Sequence, residues 1–200
     1  AQAKKLGKAD NLTICVPSGN FGNITAGLFA QRMGLPIKHF IAANNANDIF
    51  YNYLLSGIYS PKASIQTIAN AMDVGDPSNF ARILDLYKSS HAEICNHISG
   101  ATYSDDEIAA TMKKCYEQTG YVLDPHGACG YQALKDNLKD GETGVFLETA
   151  HPAKFKEKVD AILSTDIEIP TRLADFMKGK KQSLEMAADF SAFKQFLLSV

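Results

Sequence analysis

Leu12-Thr13-Ile14-Cys15-Val16, then Pro17-Ser18-Gly19-Asn20-Phe21-Gly22-Asn23, then an apolar run from about Ile24 to Met33: this stretch decides how the chain reads. The first part is rich in β-branched residues and reads as a strand. The second is a glycine-punctuated loop, and the third is helical. That helix is apolar nearly all round, and its Thr25 and Arg32, seven apart, share one face, so it is expected to be largely buried. Gly34 stops it and Pro36 blocks continuation.

The same strand–loop–helix order recurs along the chain. Ile37 to Ala42 reads as a second strand, after which Asn47 or Asp48 can cap a helix through Leu55. Pro77-Ser78 opens a helix to about Tyr87. Ser104 and Glu107 form a capping box for the clearest helix, whose apolar stripe is Ile108, Met112, Cys115 and Tyr116 and whose stop is Gly120. Tyr121-Val122-Leu123 reads as a third strand, ending at Asp124-Pro125-His126-Gly127. Gly144 to Glu148 reads as a fourth, running into Thr149-Ala150-His151-Pro152 and a helix with Phe155, Val159, Ile162 and Leu163 inward. A last amphipathic helix is expected from Met186 to Val200. Strands alternating with helices predict an α/β fold, a mostly parallel sheet with flanking helices, over one domain spanning 1–200.

Composition narrows the function. The 200 residues are 46% hydrophobic and 21% charged, as in an ordinary globular chain. Twenty Lys and Arg against 22 Asp and Glu give a net charge of -2, with no basic surplus for nucleic acid or an anionic membrane. No apolar run approaches the roughly 20 residues of a membrane-spanning helix. Cys15, Cys95, Cys115 and Cys129 lack CxxC spacing and a histidine at ligand distance, so no metal site is expected. Cys15 and Cys115 read as small buried hydrophobes. With no secretory signal, the expected compartment is the reducing cytoplasm. Ala1-Gln2-Ala3-Lys4-Lys5-Leu6 reads like the tail of a helix already under way, which suggests a piece of a longer protein.

In parallel α/β sheets ligands gather at the carboxyl ends of the strands. Residues 18–23 are the strongest candidate there. Gly19 and Gly22 let successive N–H groups converge, and the following helix adds its own N-terminal N–H groups. Ser18, Asn20 and Asn23 can add neutral donors. An anion site, typically for phosphate, and an ordinary glycine turn capping a helix both fit this pattern. Asp124 and His126 lie at another strand end, where a site role and a turn built around Pro125 both fit. Lys62 and Arg82 can meet an anionic substrate or be solvated surface charges. His39, His91 and His97 read as structural or exposed.

Pro17-Ser18-Gly19-Asn20-Phe21-Gly22-Asn23 resembles the phosphate loop of the threonine synthase family, fold-type-II enzymes that use pyridoxal phosphate (PLP). Asn47-Asp48-Ile49, Ser60-Pro61-Lys62-Ala63-Ser64, the run from Asn70 to Phe80, Asp124-Pro125-His126-Gly127 and the run from Thr149 to Phe155 resemble the same family in the same order. The likeness covers about residues 12 to 165, with a similar closing helix near Phe190. It implies a tryptophan synthase β-like fold. It also implies that the cofactor's 5′-phosphate is held by Ser18, Gly19, Asn20, Phe21, Gly22 and Asn23, and that the Thr149 hydroxyl meets the pyridine nitrogen. The implied reaction converts O-phospho-L-homoserine and water to L-threonine and phosphate.

One feature departs from the family. PLP enzymes of this type carry the cofactor as a Schiff base on a lysine well before the phosphate loop. Only Lys4, Lys5 and Lys8 precede that loop here, and none sits in the family's lysine motif. Lys154, on the helix after Thr149, reads as an ordinary solvated side chain. The chain is therefore expected to be the C-terminal portion of the enzyme, without its N-terminal half or its lysine, and inactive alone. No residue is assigned a catalytic role. Such a piece should expose apolar surface and associate with itself. The alternatives are another fold-type-II PLP lyase or dehydratase, and a non-catalytic phosphate-ligand-binding domain, for which residues 18–23 would suffice.

Overall fold

A computed structural model describes residues 2–199. Where the sequence pattern predicts one α/β domain over 1–200, the chain groups into two compact units, Ala1–Ile167 and Glu168–Val200. The first opens with a single turn, α1 (Gln2–Lys5), followed by β1 (Leu12–Pro17), α2 (Gly22–Arg32), β2 (His39–Asn44) and α3 (Ile49–Ser56). A long irregular segment holds one 3-10 turn, Asn70–Met72. Next come α4 (Phe80–Leu86), α5 (His91–His97), β3 (Ile98–Thr102), α6 (Asp105–Thr119), α7 (Pro125–Asn137), β4 (Thr143–Phe146), a 3-10 turn over Pro152–Phe155, and α8 (Lys156–Leu163). The second unit carries α9 (Thr171–Met177) and α10 (Phe190–Ser199), with Val200 of the expected last helix outside the described residues.

All strand pairs are parallel, in the order β3-β2-β1-β4. Side chains alternate between two cores. Cys15, Ile41 and Ala43 join Ile108, Met112, Ala128 and Leu134 on one face. Val16, Phe40 and Ala42 join Ile24, Leu28, Phe50 and Ile83 on the other. A sheet buried on both faces requires apolar residues at successive positions, which explains the near-continuous runs of β1 and β2.

Three of the four expected strands form. Tyr121-Val122-Leu123 is not one: it stays unpaired, and Leu123 is buried as a loop residue. The sheet instead takes Ile98–Thr102, whose Ser99 and Gly100 carry little strand signal. Gly100 is suited to its place because a Cβ there would come within 2.9 Å of Leu54. The preceding α5 is capped by Ser90, whose hydroxyl accepts from the Glu93 N–H.

The expectation that α2 is largely buried also needs correction. Its inner face is Ile24, Thr25 and Leu28, whereas Phe29 is 42% and Met33 87% exposed. The polar Thr25 points inward and the apolar outer face stands free of the first unit's core. By contrast, the Ser104–Glu107 capping box and the left-handed Gly120 stop form as the sequence predicts.

Candidate cofactor site

The strand order places a crevice. From β1 the chain moves outward to β2 and β3, then returns to the opposite side of β1 for β4. Connections leaving β1 and β4 therefore diverge, and the gap between their carboxyl ends is where parallel sheets receive ligands. A cavity of about 260 Å³ lies there, lined by Pro17, Ser18, Gly19, Asn20, Phe21, Gly22, Asn23, Ala71, Met72, His126 and Thr149. All seven candidate residues thus line one cavity.

The loop is rigid before any ligand is considered. The Ser18 N–H donates to the Ala43 carbonyl at 2.8 Å, and the Asn44 amide donates to the Ser18 carbonyl at 2.8 Å. Phe21 caps α2 in the left-handed conformation (φ 62°) with no side-chain cap bond. The first-turn N–H groups of α2 consequently have no partner on the helix and none from a cap. One expected side-chain donor is otherwise engaged, and a second residue is tied down through its acceptor. The Ser18 hydroxyl donates to the Val16 carbonyl at 2.8 Å. Asn20 Oδ1 accepts from the Ser78 N–H and hydroxyl, at 2.7 and 2.9 Å, and so ties the loop to the turn before α4. The Ser18 hydroxyl is thus spent on its own strand, which leaves the loop's backbone N–H groups and the amides of Asn20 and Asn23 as its donors.

Ala71 and Met72 also line the cavity, packed against Gly19, and what supports them escaped sequence reading. Asp73 Oδ1 accepts from Thr67 Oγ1 at 2.7 Å, Asn45 Nδ2 at 2.8 Å and Asn47 Nδ2 at 3.2 Å. Asn47 therefore does not cap α3; its side chain pins the 65–73 segment to the end of β2. Asp48 occupies the cap position without a side-chain cap bond and instead pairs with Lys62 at 2.7 Å. Lys62 and Arg82 do not line the cavity, and Lys154 is exposed.

His126 lines the cavity while remaining buried. Its Nδ1 lies 2.6 Å from Asp124 Oδ1, and its Nε2 accepts from the Ala71 N–H at 3.1 Å. Asp124 serves two ends at once. Its Oδ1 also accepts the His126 N–H at 2.8 Å, capping α7, so the turn and site readings of this motif coincide. Burial would push the Asp124 carboxyl up, but hydrogen bonds from His126 and Glu148 outweigh it and hold the group below the usual carboxylate range. Glu148, at the end of β4, is moved the other way, up to about 8, by burial and by the Asp124 carboxylate beside it. No motif flagged Glu148. Its only sequence signal is adjacency to Thr149.

The cysteines stand apart from this site. Burial pushes the Cys15 thiol up to about 12, and Cys129 is raised as well, consistent with core roles. The Cys95 sulfur lies 3.3 Å from His91 Nε2, but burial raises that thiol too.

Residues 2–149 match the family model described as "Pyridoxal-phosphate dependent enzyme", and residues 127–197 match "Threonine synthase, C-terminal". Threonine synthase of Haemophilus influenzae is 47% identical over 191 residues, covering 96% of this chain and 44% of that protein. The Escherichia coli threonine synthase is 43% identical over 190 residues, covering 95% and 44%. The crystal structure of the latter superposes with a TM-score of 0.81 at 42% identity, over 96% of this chain and 44% of its own. A PLP-bound threonine synthase from Brucella melitensis gives 0.84 at 32% identity, over 98% and 48%. A threonine deaminase from Solanum lycopersicum, 16% identical with a TM-score of 0.56, shares the fold alone. The chain belongs to the family of pyridoxal-phosphate dependent enzymes, and it is similar to the threonine synthases over about 44% of their length.

Proposed function

We propose that the chain is the cofactor-cradling portion of a threonine synthase that converts O-phospho-L-homoserine and water to L-threonine and phosphate. The observation carrying this reading is the meeting of the Ser18–Asn23 loop and Thr149 on one cavity at the switch point of the sheet. The uncapped first turn of α2 and the converging loop suit the dianionic phosphate of PLP. Thr149, in the turn after the adjacent strand, lines the same cavity and would be the partner of the pyridine nitrogen. PLP would supply the electron sink that steadies negative charge next to the substrate's amine.

Within that frame each residue has a defined task. Backbone N–H groups from Gly19 to Asn23 hold the phosphate, so the near-neutral charge of the chain is no obstacle. The Thr149 hydroxyl donates a hydrogen bond to the ring nitrogen without giving up a proton, which leaves that nitrogen largely unprotonated. The lysine that carries the cofactor lies outside these 200 residues, and the isolated chain is inactive. The free thiols fit the cytoplasm. No described helix is long and apolar enough to cross a membrane. Exposed Phe29, Met33 and Leu35 support self-association of the isolated chain.

Joining the chain to the remaining portion of the enzyme should restore phosphate release from O-phospho-L-homoserine and visible absorbance from bound PLP. Absence of both refutes the assignment. For the isolated chain, borohydride trapping of PLP on one defined lysine would overturn the claim that the lysine lies elsewhere. Sedimentation of the chain as a monomer at high concentration would overturn self-association.

A further inference from the structure

We propose that Asp124 and Glu148 hold a single proton between them, and that this pair fixes His126 as a positioning residue for the phosphate loop. Asp124 Oδ2 and Glu148 Oε2 are both buried, and with two ionised carboxylates neither has a hydrogen-bond partner among the described residues. Two adjacent buried acceptors cannot satisfy each other, and two adjacent buried anions repel. One proton resolves both problems. Placed on Glu148 Oε2, it donates to Asp124 Oδ2, while Asp124 stays ionised. The backbone has made room for this contact. The Asp124 N–H reaches Glu148 Oε1 at 3.3 Å, and a Cβ on Gly127 would lie 2.3 Å from the same oxygen.

The consequence passes along a chain of hydrogen bonds. An ionised Asp124 accepts from His126 Nδ1–H at 2.6 Å. His126 Nε2 is then the unprotonated nitrogen, as it must be to accept the Ala71 N–H. That bond holds the Ala71–Met72 wall, and a Cβ on Gly19 would lie 2.6 Å from Met72 Cα. The proton on Glu148 thus acts on the phosphate loop through Asp124, His126 and the 3-10 turn. The titratable neighbours of the pair are His126 on α7 and Tyr121 in the segment before it, whose hydroxyl is raised by burial and by both carboxyls. From the turn after β4 the uncharged Phe155 ring packs on His126, with ring centroids 4.7 Å apart.

The loop's purpose rests on the cofactor reading; the proton and the tautomer do not, so they are tested on the chain without cofactor. In ¹⁵N-histidine-labelled protein near neutral pH, His126 should show a protonated Nδ1 and an unprotonated Nε2. Infrared spectra should contain a protonated-carboxyl band that disappears in Glu148→Gln and persists in Glu142→Gln. The glutamine retains a donor toward Asp124, so Glu148→Gln should keep the wild-type tautomer. Asp124→Asn should lose it and speed amide exchange at Ala71 by about fivefold to tenfold, as for one lost hydrogen bond. A protonated Nε2 in the wild type, or a carboxyl band surviving in Glu148→Gln, overturns the proposal even if Asp124→Asn fails to fold. The cofactor reading is judged separately, by phosphate release.

Discussion

Gly19 of the Ser18–Asn23 loop and Met72 of the adjoining 3-10 turn touch backbone to backbone, so that a Cβ on Gly19 would lie 2.6 Å from Met72 Cα. Both sides of the contact are braced, Gly19 through the hydrogen bonds of its neighbour Ser18 to Ala43 and Asn44 of β2, and Met72 through the Asp73 network. Gly19→Ala should therefore cost about 1–3 kcal/mol of stability, the usual penalty for overpacking. It should also weaken PLP binding in the joined enzyme. Urea unfolding and a PLP titration check the two effects.

Gly75 is more tightly confined. A Cβ there would fall 1.8 Å from the Lys62 carbonyl oxygen, and the Lys62 N–H donates to the Gly75 carbonyl at 3.1 Å. Neither side of this contact is a flexible side chain. Gly75→Ala should destabilise by about 3 kcal/mol, whereas Gly120→Ala tests a different mechanism, a left-handed stop (φ 73°) with open space around it. Comparing the two by denaturant midpoint separates steric crowding from backbone strain.

The capping box of α6 has a predictable cost. The Ser104 hydroxyl accepts the Glu107 N–H, and Glu107 Oε2 accepts the Ser104 N–H at 2.8 Å. Ser104→Ala should lose about 1 kcal/mol. Hydrogen bonds from Ser104 hold the Glu107 carboxyl below its ordinary 4.5, so its contribution is present above that value and lost as pH falls through the folded-state pKa. The difference between wild type and Ser104→Ala, measured by thermal melts, should shrink in acid.

Glu148 predicts the opposite pH trend. Its folded-state pKa of about 8 lies above the ordinary 4.5, so between those values the folded protein binds more protons than the unfolded chain. This contribution to stability is complete below about 4.5, falls as pH rises, and is gone above about 8. Glu148→Gln should flatten that part of the pH profile and be more stable than wild type in mild alkali. Urea midpoints across the range test it, and an unchanged slope in the variant would show that Glu148 is not the titrating group.

Much of the architecture was legible because it is written in local spacing. β1, its glycine loop and α2 appear almost where the pattern places them, and Ser104, Glu107 and Gly120 mark α6 through chemistry confined to one turn. β3 was not legible. Ile98–Thr102 becomes a strand because β2 offers it an edge, while the better strand former Tyr121-Val122-Leu123 has no neighbour to pair with. Propensity is a weak preference, and pairing overrides it.

The site divides along the same line. By itself the sequence determined a polar, glycine-punctuated loop between a strand and a helix, a pattern in which N–H groups can converge. Tertiary structure decided what that loop faces. The return of the chain to the far side of β1 brings Thr149 and Glu148 beside it, and the Asp73 network sets Ala71–Met72 against Gly19. Asp124, His126 and Glu148 acquire their charges and tautomer only there. A carboxylate's proton depends on burial and on the neighbour it meets, and neither exists until the strands are ordered.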